Sequence, residues 1–434
     1  MPKRLLYMVT VPVSARTFLT GQLKALKKYD YEVHVASSPQ PVEELLRVAD
    51  NEGVSAHFVP LVREISIKED FKALIATWRL MRRIRPDITN VGTPKAGLIG
   101  GLASALSGTP ARVYTLRGLR LETTSGIRRQ LLIWMEQLAC ASAHRVVCVS
   151  PSLRERAVEL RLTPPDKAVV LGAGSSNGLD SERFMPTSDL LRRAEEIRTF
   201  LNLPAGPPTI GFVGRFVKDK GITELIEAFE MLSIEMPDLR LLLLGRYEEG
   251  DPVPSNIRHK IESHPNIICP GFVTDTSPYY YLMDLLAFPT HREGFGNVAL
   301  EAAAAGIPVV ATTATGVIDA VQHGITGLIV PVNNSKALAD AIQFLIYEPN
   351  TAAAMGNAGR ARVQRDFQPQ RIWQLLDSLY EELMEEHHAR RRKNAQKTRI
   401  FIKHITHLVL AISTRVLKHI SVHLVSPLIK SKRR

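Results

Sequence analysis

The run Leu285-Leu-Ala-Phe288, continued by Pro289-Thr-His-Arg-Glu293-Gly294-Phe295-Gly296-Asn297-Val298-Ala-Leu-Glu301, decides how this chain is read. Four apolar residues stopped by a proline make a buried strand, and the stretch Asn297–Ala305 makes a helix. The loop between them carries a carboxylate and two glycines. Gly294 and Gly296 permit close backbone approach, and the first amides of the helix are free to donate. Glu293 and Glu301, eight residues apart, are acceptor-only groups suited to sugar and ribose hydroxyls. An acid early in a helix is also an ordinary start signal, so Glu301 by itself would say little.

The strand–loop–helix unit recurs on both sides of this run. Upstream, Arg4–Val11, Tyr31–Ala36, Val54–Val59, Asp87–Val91, Ala111–Thr115 and Arg145–Val149 read as strands. Helical patterns at Thr17–Lys28, Phe71–Arg83, Ala96–Leu106 and Ile127–Ala141 alternate with them. Alternation lapses between Pro186 and Pro208, where Leu203-Pro-Ala-Gly-Pro-Pro208 punctuates the chain. A second series then runs through Thr209–Val213, Leu239–Leu244, Asn266–Cys269, Leu285–Phe288, Pro308–Ala311 and Gly327–Val330. Strands too apolar for one wet face imply parallel sheets covered on both sides. The expected architecture is α/β, with two facing Rossmann-like domains and ligands at the carboxyl ends of the strands. The expected boundaries are 1–190 for the N-terminal domain, 191–207 for a linker, 208–365 for the C-terminal domain, 366–386 for a C-terminal helix and 387–434 for a tail.

Composition removes several classes of function. The 434 residues exceed one ordinary core, and 45% hydrophobic with 23% charged residues is normal for a globular protein. Cys140, Cys148 and Cys269 lack metal-ligand spacing and read as buried free thiols. The opening MPKRLLYMVTVPV is too short an apolar run for a secretion signal and reads as a strand, so a cytoplasmic protein is expected. Of the net charge of +12, nearly all sits from Glu385 to Arg434, where thirteen Lys/Arg face two Glu. A nearly neutral fold argues against nucleic acid as a partner.

Two further motifs carry chemistry. Thr209–Val213 is followed by Gly214-Arg215-Phe-Val-Lys218-Asp-Lys220-Gly221, which puts a planar guanidinium and a point charge near a helix start, a suitable cradle for a diphosphate. In the tail, Ile402, Ile405, Val409, Ile412, Val416 and Ile420 recur at helical spacing, with Lys403, Arg415 and Lys418 opposite them. Such a basic amphipathic segment is expected to lie on a membrane surface.

Taken together, Gly214-Arg215 with Lys220-Gly221, Glu293-Gly-Phe-Gly-x4-Glu301, Gly306-Ile-Pro-Val-Val-Ala311 and His323-Gly-x2-Gly327 resemble, in order and spacing, the family-4 retaining glycosyltransferases of GT-B fold. The resemblance implies that Arg215 and Lys220 bind the donor diphosphate and that Glu301 holds the ribose. It implies that Glu293 meets the transferred sugar, helped by the Gly294, Phe295 and Gly296 amides. Gly214, Phe272, Val273 and Val298 would complete the donor side, with Gly271-Phe-Val273 framing the base. Val91-Gly-Thr-Pro-Lys95-Ala-Gly97 and Tyr114-Thr-Leu-Arg117-Gly-Leu-Arg120-Leu-Glu122-Thr-Thr look like a subgroup that extends polyprenyl-diphosphate-linked sugars in bacterial surface-polysaccharide (capsule or lipopolysaccharide) assembly. Arg117 stands where many members carry histidine; always cationic, it suits electrostatic stabilisation rather than base catalysis. The first turn lacks the family's paired glycines and offers Ser14 and Arg16, which with Lys95 are the acceptor-side candidates.

The resulting expectation is a hexosyltransferase that takes a sugar, with retention, from a nucleotide sugar, expected to be a UDP-sugar, to a lipid-linked or saccharide acceptor. No cofactor and no metal are expected, because the donor is a substrate and the two cations do a divalent ion's work. The tail would hold the protein on the inner face of the plasma membrane. Competing readings are a nucleotide-sugar epimerase and a non-catalytic nucleotide-sugar-binding protein.

Overall fold

The computed structural model describes residues 2–248 and 250–393. In the first half, β1 (Lys3–Met8), β2 (Tyr31–Ser37), β3 (Ser55–Phe58), β4 (Ile88–Val91), β5 (Ala111–Leu116), β6 (Arg145–Cys148) and β7 (Ala168–Val169) form one sheet, ordered β3-β2-β1-β4-β5-β6-β7. In the second, β8 (Thr209–Val213), β9 (Arg240–Leu244), β10 (Ile267–Gly271), β11 (Leu285–Phe288), β12 (Val309–Thr312) and β13 (Gly327–Val330) form a sheet ordered β10-β9-β8-β11-β12-β13. Every strand pair is parallel. Both orders reverse beside their first strand, which opens a crevice between β1 and β4 and another between β8 and β11. This is the expected pair of Rossmann-like domains, a GT-B architecture.

β9 illustrates why both faces must be covered. Leu241 and Leu243 pack with Ile210, Phe212 and Leu225 in one apolar cluster. Leu242 and Leu244 pack with Leu286, Leu300 and Ala311 in another. Successive side chains point to opposite faces, so a strand of buried leucines demands a helical layer on each. The second cluster also takes in Leu6, Tyr114 and Leu153 of the first half, so the two sheets share apolar packing.

The structure departs from the sequence reading in four places. The first strand ends at Met8, and Pro12 opens a helix at a position where its missing N–H costs nothing. The single helix expected over Thr17–Lys28 is two, Pro12–Leu19 and Gln22–Lys27, broken at Gly21 with φ 78°. The second of these is capped from afar, because the buried Glu52 carboxylate accepts from the amides of Gly21 (2.7 Å) and Lys24 (2.9 Å). Most of the segment 191–207 belongs to the helix Ser188–Phe200, whose start is capped by Thr187 Oγ1 accepting from the Leu190 amide at 3.2 Å. Cys140 and Cys148 are buried as expected, but Cys269 is exposed because it lies on an edge strand.

After Phe367 the backbone is helical over residues 369–393. Its first turns return to the N-terminal half, where Trp373 Nε1 donates to Asn177 Oδ1 (2.7 Å) and the Tyr31 hydroxyl donates to Asp377 Oδ1 (2.8 Å). The amphipathic pattern from Ile402 to Ile420 lies outside the described residues.

One buried pair makes stability depend on pH. Tyr114 on β5 donates to Glu136 Oε2 at 2.8 Å, and burial lifts the Glu136 carboxyl to about 7 against the lowering effect of that bond. A carboxyl raised in the folded state contributes fully below its unfolded pKa, and the contribution is lost as pH rises through the folded one. Between about pH 5 and pH 8, urea unfolding of the wild type should lose roughly 2–3 kcal/mol relative to Glu136→Gln. Parallel pH profiles for the two proteins would contradict this.

Candidate active site

β8 and β11 are neighbours in their sheet, and the loops that follow them supply Lys220 and Glu293, whose side chains form an ion pair. Two glycines make the approach possible. Gly221, at φ 67°, starts the helix Ile222–Glu235 so close to the β11 loop that a Cβ there would collide with the Pro289 carbonyl. A Cβ on Gly294 would strike the Arg117 carbonyl, so this loop presses directly on the end of β5 in the opposite half. Ser150 Oγ, from the N-terminal half, donates to the Gly294 carbonyl at 2.8 Å and holds the contact.

Cations crowd around Lys220. Arg292 pairs with Asp219 and also donates through Nε to Thr123 Oγ1 at 2.9 Å, bridging the two halves. Arg215 Nη1 donates to Glu248 Oε2 at 2.7 Å. Burial first, then the Arg215 and Arg292 charges, push the Lys220 ammonium down to about 7, while Asp219 pulls it up. The Glu293 carboxylate in contact with Lys220 opposes the fall as well. Each carboxylate here neutralises a cation that a bound diphosphate could neutralise instead.

Glu301 sits in the second turn of the helix Asn297–Ala305, anchored on one oxygen: Oε2 accepts from the Tyr280 hydroxyl (2.9 Å) and Thr276 Oγ1 (3.1 Å). Burial raises its pKa, and these two bonds lower it. Among the described residues Oε1 has no hydrogen-bond partner, which leaves it available to a hydroxyl donor. Gly296, at φ 91°, turns the chain into this helix. Phe295 contributes only its backbone, since its ring is buried against Phe367 at 5.3 Å between centroids. Val298 is half-buried, and its carbonyl lies 3.4 Å from the Tyr280 hydroxyl. Phe272 is exposed at the end of β10 with the Arg246 guanidinium 5.5 Å above its ring, and Val273 packs on the core beside it. The Gly214 amide extends the sheet pattern by donating to the Leu244 carbonyl at 2.9 Å.

The N-terminal candidates divide. Arg117 follows β5, donates through Nε to the Gly92 carbonyl at 3.0 Å and lies 4.7 Å from the Phe18 ring centroid. Its backbone reaches the donor loop at Gly294. Lys95, expected on the acceptor side, is buried and bonded to Asp70 Oδ1 at 2.6 Å and to the Glu64 carbonyl. It is a structural ion pair tying the helix Pro94–Ser107 to the helix Ile67–Ile84. Ser14 and Arg16 lie inside the first helix rather than in the turn, and Arg16 pairs with Glu44 at 3.1 Å. For Ser14 and Arg16 the cause is the helix start at Pro12, which turns the Arg16 side chain toward the neighbouring helix Val42–Glu52.

Sequence reasoning missed Asp219, Arg292, Tyr280 and Thr276. Asp219 and Arg292 stand inside the two motifs already singled out, so an opposite-charge pair from two converging loops was a usable signal. Nothing local marks Tyr280, which reaches Glu301 from a separate short helix, Ser277–Tyr280.

Two parallel sheets whose loops meet, with a cation-rich crevice at one of them and a carboxylate-bearing helix following its Glu293 loop, define the GT-B class. Residues 15–183 match the family described as Glycosyltransferase Family 4, and residues 193–362 match Glycosyl transferases group 1. The chain is 38% identical over 384 residues to the capsular polysaccharide biosynthesis glycosyltransferase CapM of Staphylococcus aureus, covering 88% of this chain and 98% of that one. It is 25% identical over 297 residues to the Escherichia coli UDP-Gal:alpha-D-GlcNAc-diphosphoundecaprenol alpha-1,3-galactosyltransferase, covering 67% and 75%. Anabaena HepE, solved in complex with UDP, shares the fold with a TM-score of 0.72 at 20% identity, over 88% of this chain and all of that one. The chain belongs to this family of glycosyltransferases.

Lys220 gives the site a pH signature. A diphosphate needs the ammonium form, which in the free protein is half lost at about 7. UDP affinity should be steady below that pH and fall above it, by up to about tenfold per unit until the bound-state pKa is reached. Calorimetry across that range checks this, with Lys220→Met expected to be weak and flat; a flat wild-type profile would contradict it.

Proposed function

We propose that this chain moves a sugar, with retention at the anomeric carbon, from a UDP-sugar to a polyprenyl-diphosphate-linked saccharide during assembly of a cell-surface polysaccharide. The convergence of Lys220 and Glu293 at the crevice, with Arg215 and Arg292 acting on the same ammonium, carries the reading. The S. aureus relative's part in capsular polysaccharide biosynthesis supports the destination, and the E. coli relative's diphosphoundecaprenol-linked acceptor supports the lipid. The UDP in the HepE complex and the UDP-Gal in the E. coli relative's name support the base.

In this mechanism Lys220 leaves Glu293 for the donor diphosphate and, with Arg215, neutralises the charge that grows as the anomeric C–O bond breaks. The freed Glu293 and the Gly294, Phe295 and Gly296 amides hold the sugar, while Glu301 Oε1 takes the ribose and Phe272 with Val273 frames the base. The acceptor hydroxyl attacks from the leaving-group face, and its proton passes to the departing diphosphate oxygen. Nothing in the motifs offers a nucleophile for a covalent route. Arg117, already pressed on the Gly294 loop, supports the ion-pair-like transition state electrostatically. No divalent ion enters this scheme. A glycosyltransferase relative matching nearly end to end leaves the epimerase and scaffold readings without a supporting observation.

Among the described residues no helix is long and apolar enough to cross a membrane. The basic segment after Glu386 is the proposed peripheral anchor on the cytoplasmic face of the plasma membrane.

Lys220→Ala should lower turnover at saturating donor by about two to three orders of magnitude, the scale of losing one preorganised electrostatic contact. Unchanged turnover would remove the leaving-group role. Deleting residues 387–434 should abolish sedimentation with anionic vesicles, and undiminished binding would clear the tail of anchoring.

A further inference from the structure

A third loop lies against the residues assigned to the sugar. It follows β12 as Thr313-Ala-Thr315-Gly316 and leads into the short helix Val317–Ala320. The Thr315 carbonyl accepts from the Glu293 amide at 3.3 Å. Gly316, at φ 79°, passes so near the Gly294 carbonyl that a Cβ there would lie 2.4 Å from its oxygen. Whatever fixes Thr315 and Gly316 therefore fixes Glu293 and Gly294.

The opposite half supplies the fixing groups. Ser152 Oγ accepts from the Gly316 amide at 2.7 Å and donates to Asp319 Oδ2, and the Ser152 amide donates to the same oxygen at 3.0 Å. Local sequence explains why that amide is free. The helix Pro151–Glu159 opens on a proline, which has no N–H, so Ser152 carries the first donor of the turn. Ser150 Oγ takes the next one, from Leu153, at 3.2 Å. Asp319 thus closes a helix start that belongs to the other half, and a carboxylate at that end of a helix is also held by the dipole. Asp319 is itself anchored: Arg362 donates through Nη2 to its carbonyl and through Nη1 to that of Ala320, both at 2.6 Å. Ser150, two residues before Ser152, holds the Gly294 carbonyl directly. The groups assigned to the nucleotide depend on none of these bonds. Arg215 and Lys220 come from the loop after β8, and Glu301 is anchored by Tyr280 and Thr276.

We propose that Ser152 and Asp319 are positioning residues for sugar transfer, which act through Gly316 to set the Glu293 carboxylate and the Gly294 amide against the transferred sugar. This rests on the UDP-sugar transferase reading above. Because nucleotide and sugar are held by separate loops, the pair governs the sugar-transferring step and leaves the affinity for the nucleotide alone. The hydroxyl of Ser152 is the essential part, since it is bonded to Gly316 and Asp319 at once. Serine and aspartate work as one unit, so losing either releases the loop.

The test uses full-length protein with water as the only acceptor, so that no lipid need be supplied. UDP-glucose, UDP-galactose and their two N-acetylamino counterparts are offered in turn, and UDP release is followed. In that reaction the anomeric C–O bond to the diphosphate breaks, the water oxygen bonds the anomeric carbon, and its proton leaves with the UDP. With whichever sugar the wild type turns over, Ser152→Ala and Asp319→Ala should each lower kcat by about ten- to hundredfold, the scale of a misplaced reacting group. Calorimetry should find UDP affinity within about twofold of wild type in both variants. Ser152→Thr, which keeps the hydroxyl, should recover most of the lost rate, and the double Ala variant should be no slower than the slower single one. Wild-type rates in the Ala variants would overturn the assignment. So would a parallel loss of UDP affinity, or a threonine variant as slow as the alanine one, because either marks a merely structural role. A wild type that binds UDP and releases it from none of the four sugars would defeat the UDP-sugar reading, and this inference with it; altered outcomes in the variants alone defeat only the inference.

Discussion

The molecule is organised around an ammonium that has too many positive neighbours. Lys220 shares its crevice with Arg215 and Arg292, and the chain answers with Glu293 against Lys220, Asp219 against Arg292 and Glu248 against Arg215. Such pairs are stable enough to close the site and weak enough to be exchanged, because a diphosphate offers the same charge with more acceptors. Opening the crevice to a donor and neutralising a leaving group then become one event, the transfer of Lys220 from carboxylate to phosphate.

That exchange depends on two surfaces that meet at glycines and are held by short side-chain hydrogen bonds. Gly294 lies against Arg117 and Gly118, Ser150 holds the Gly294 carbonyl, Gly316 donates its amide to Ser152 Oγ at 2.7 Å, and Thr315 donates to Glu122 Oε1 at 2.7 Å. The contacts come from loops at the carboxyl edges of both sheets, so parallel topology aims both sets of loops at one place.

Periodicity and punctuation made most of this architecture legible in the sequence. Strands such as Thr209–Val213 and Leu285–Phe288 were legible because a buried parallel strand is a continuous apolar run, and the loops after them because glycine and paired charges are rare together. What escaped was non-local. Glu52 capping a helix that begins at Gln22, and Tyr280 holding Glu301, depend on contacts that no window of sequence contains. Lys95 misled because a basic residue after a strand looks like a phosphate ligand until Asp70 is brought to it by the fold. β7, two residues long, is too short to leave a pattern.

A crystal structure of the UDP complex would test the central claim most directly. Lys220 Nζ should be found on the β-phosphate, released from Glu293, with Glu301 Oε1 on the ribose. A diphosphate bound elsewhere, with Lys220 still paired to Glu293, would contradict it.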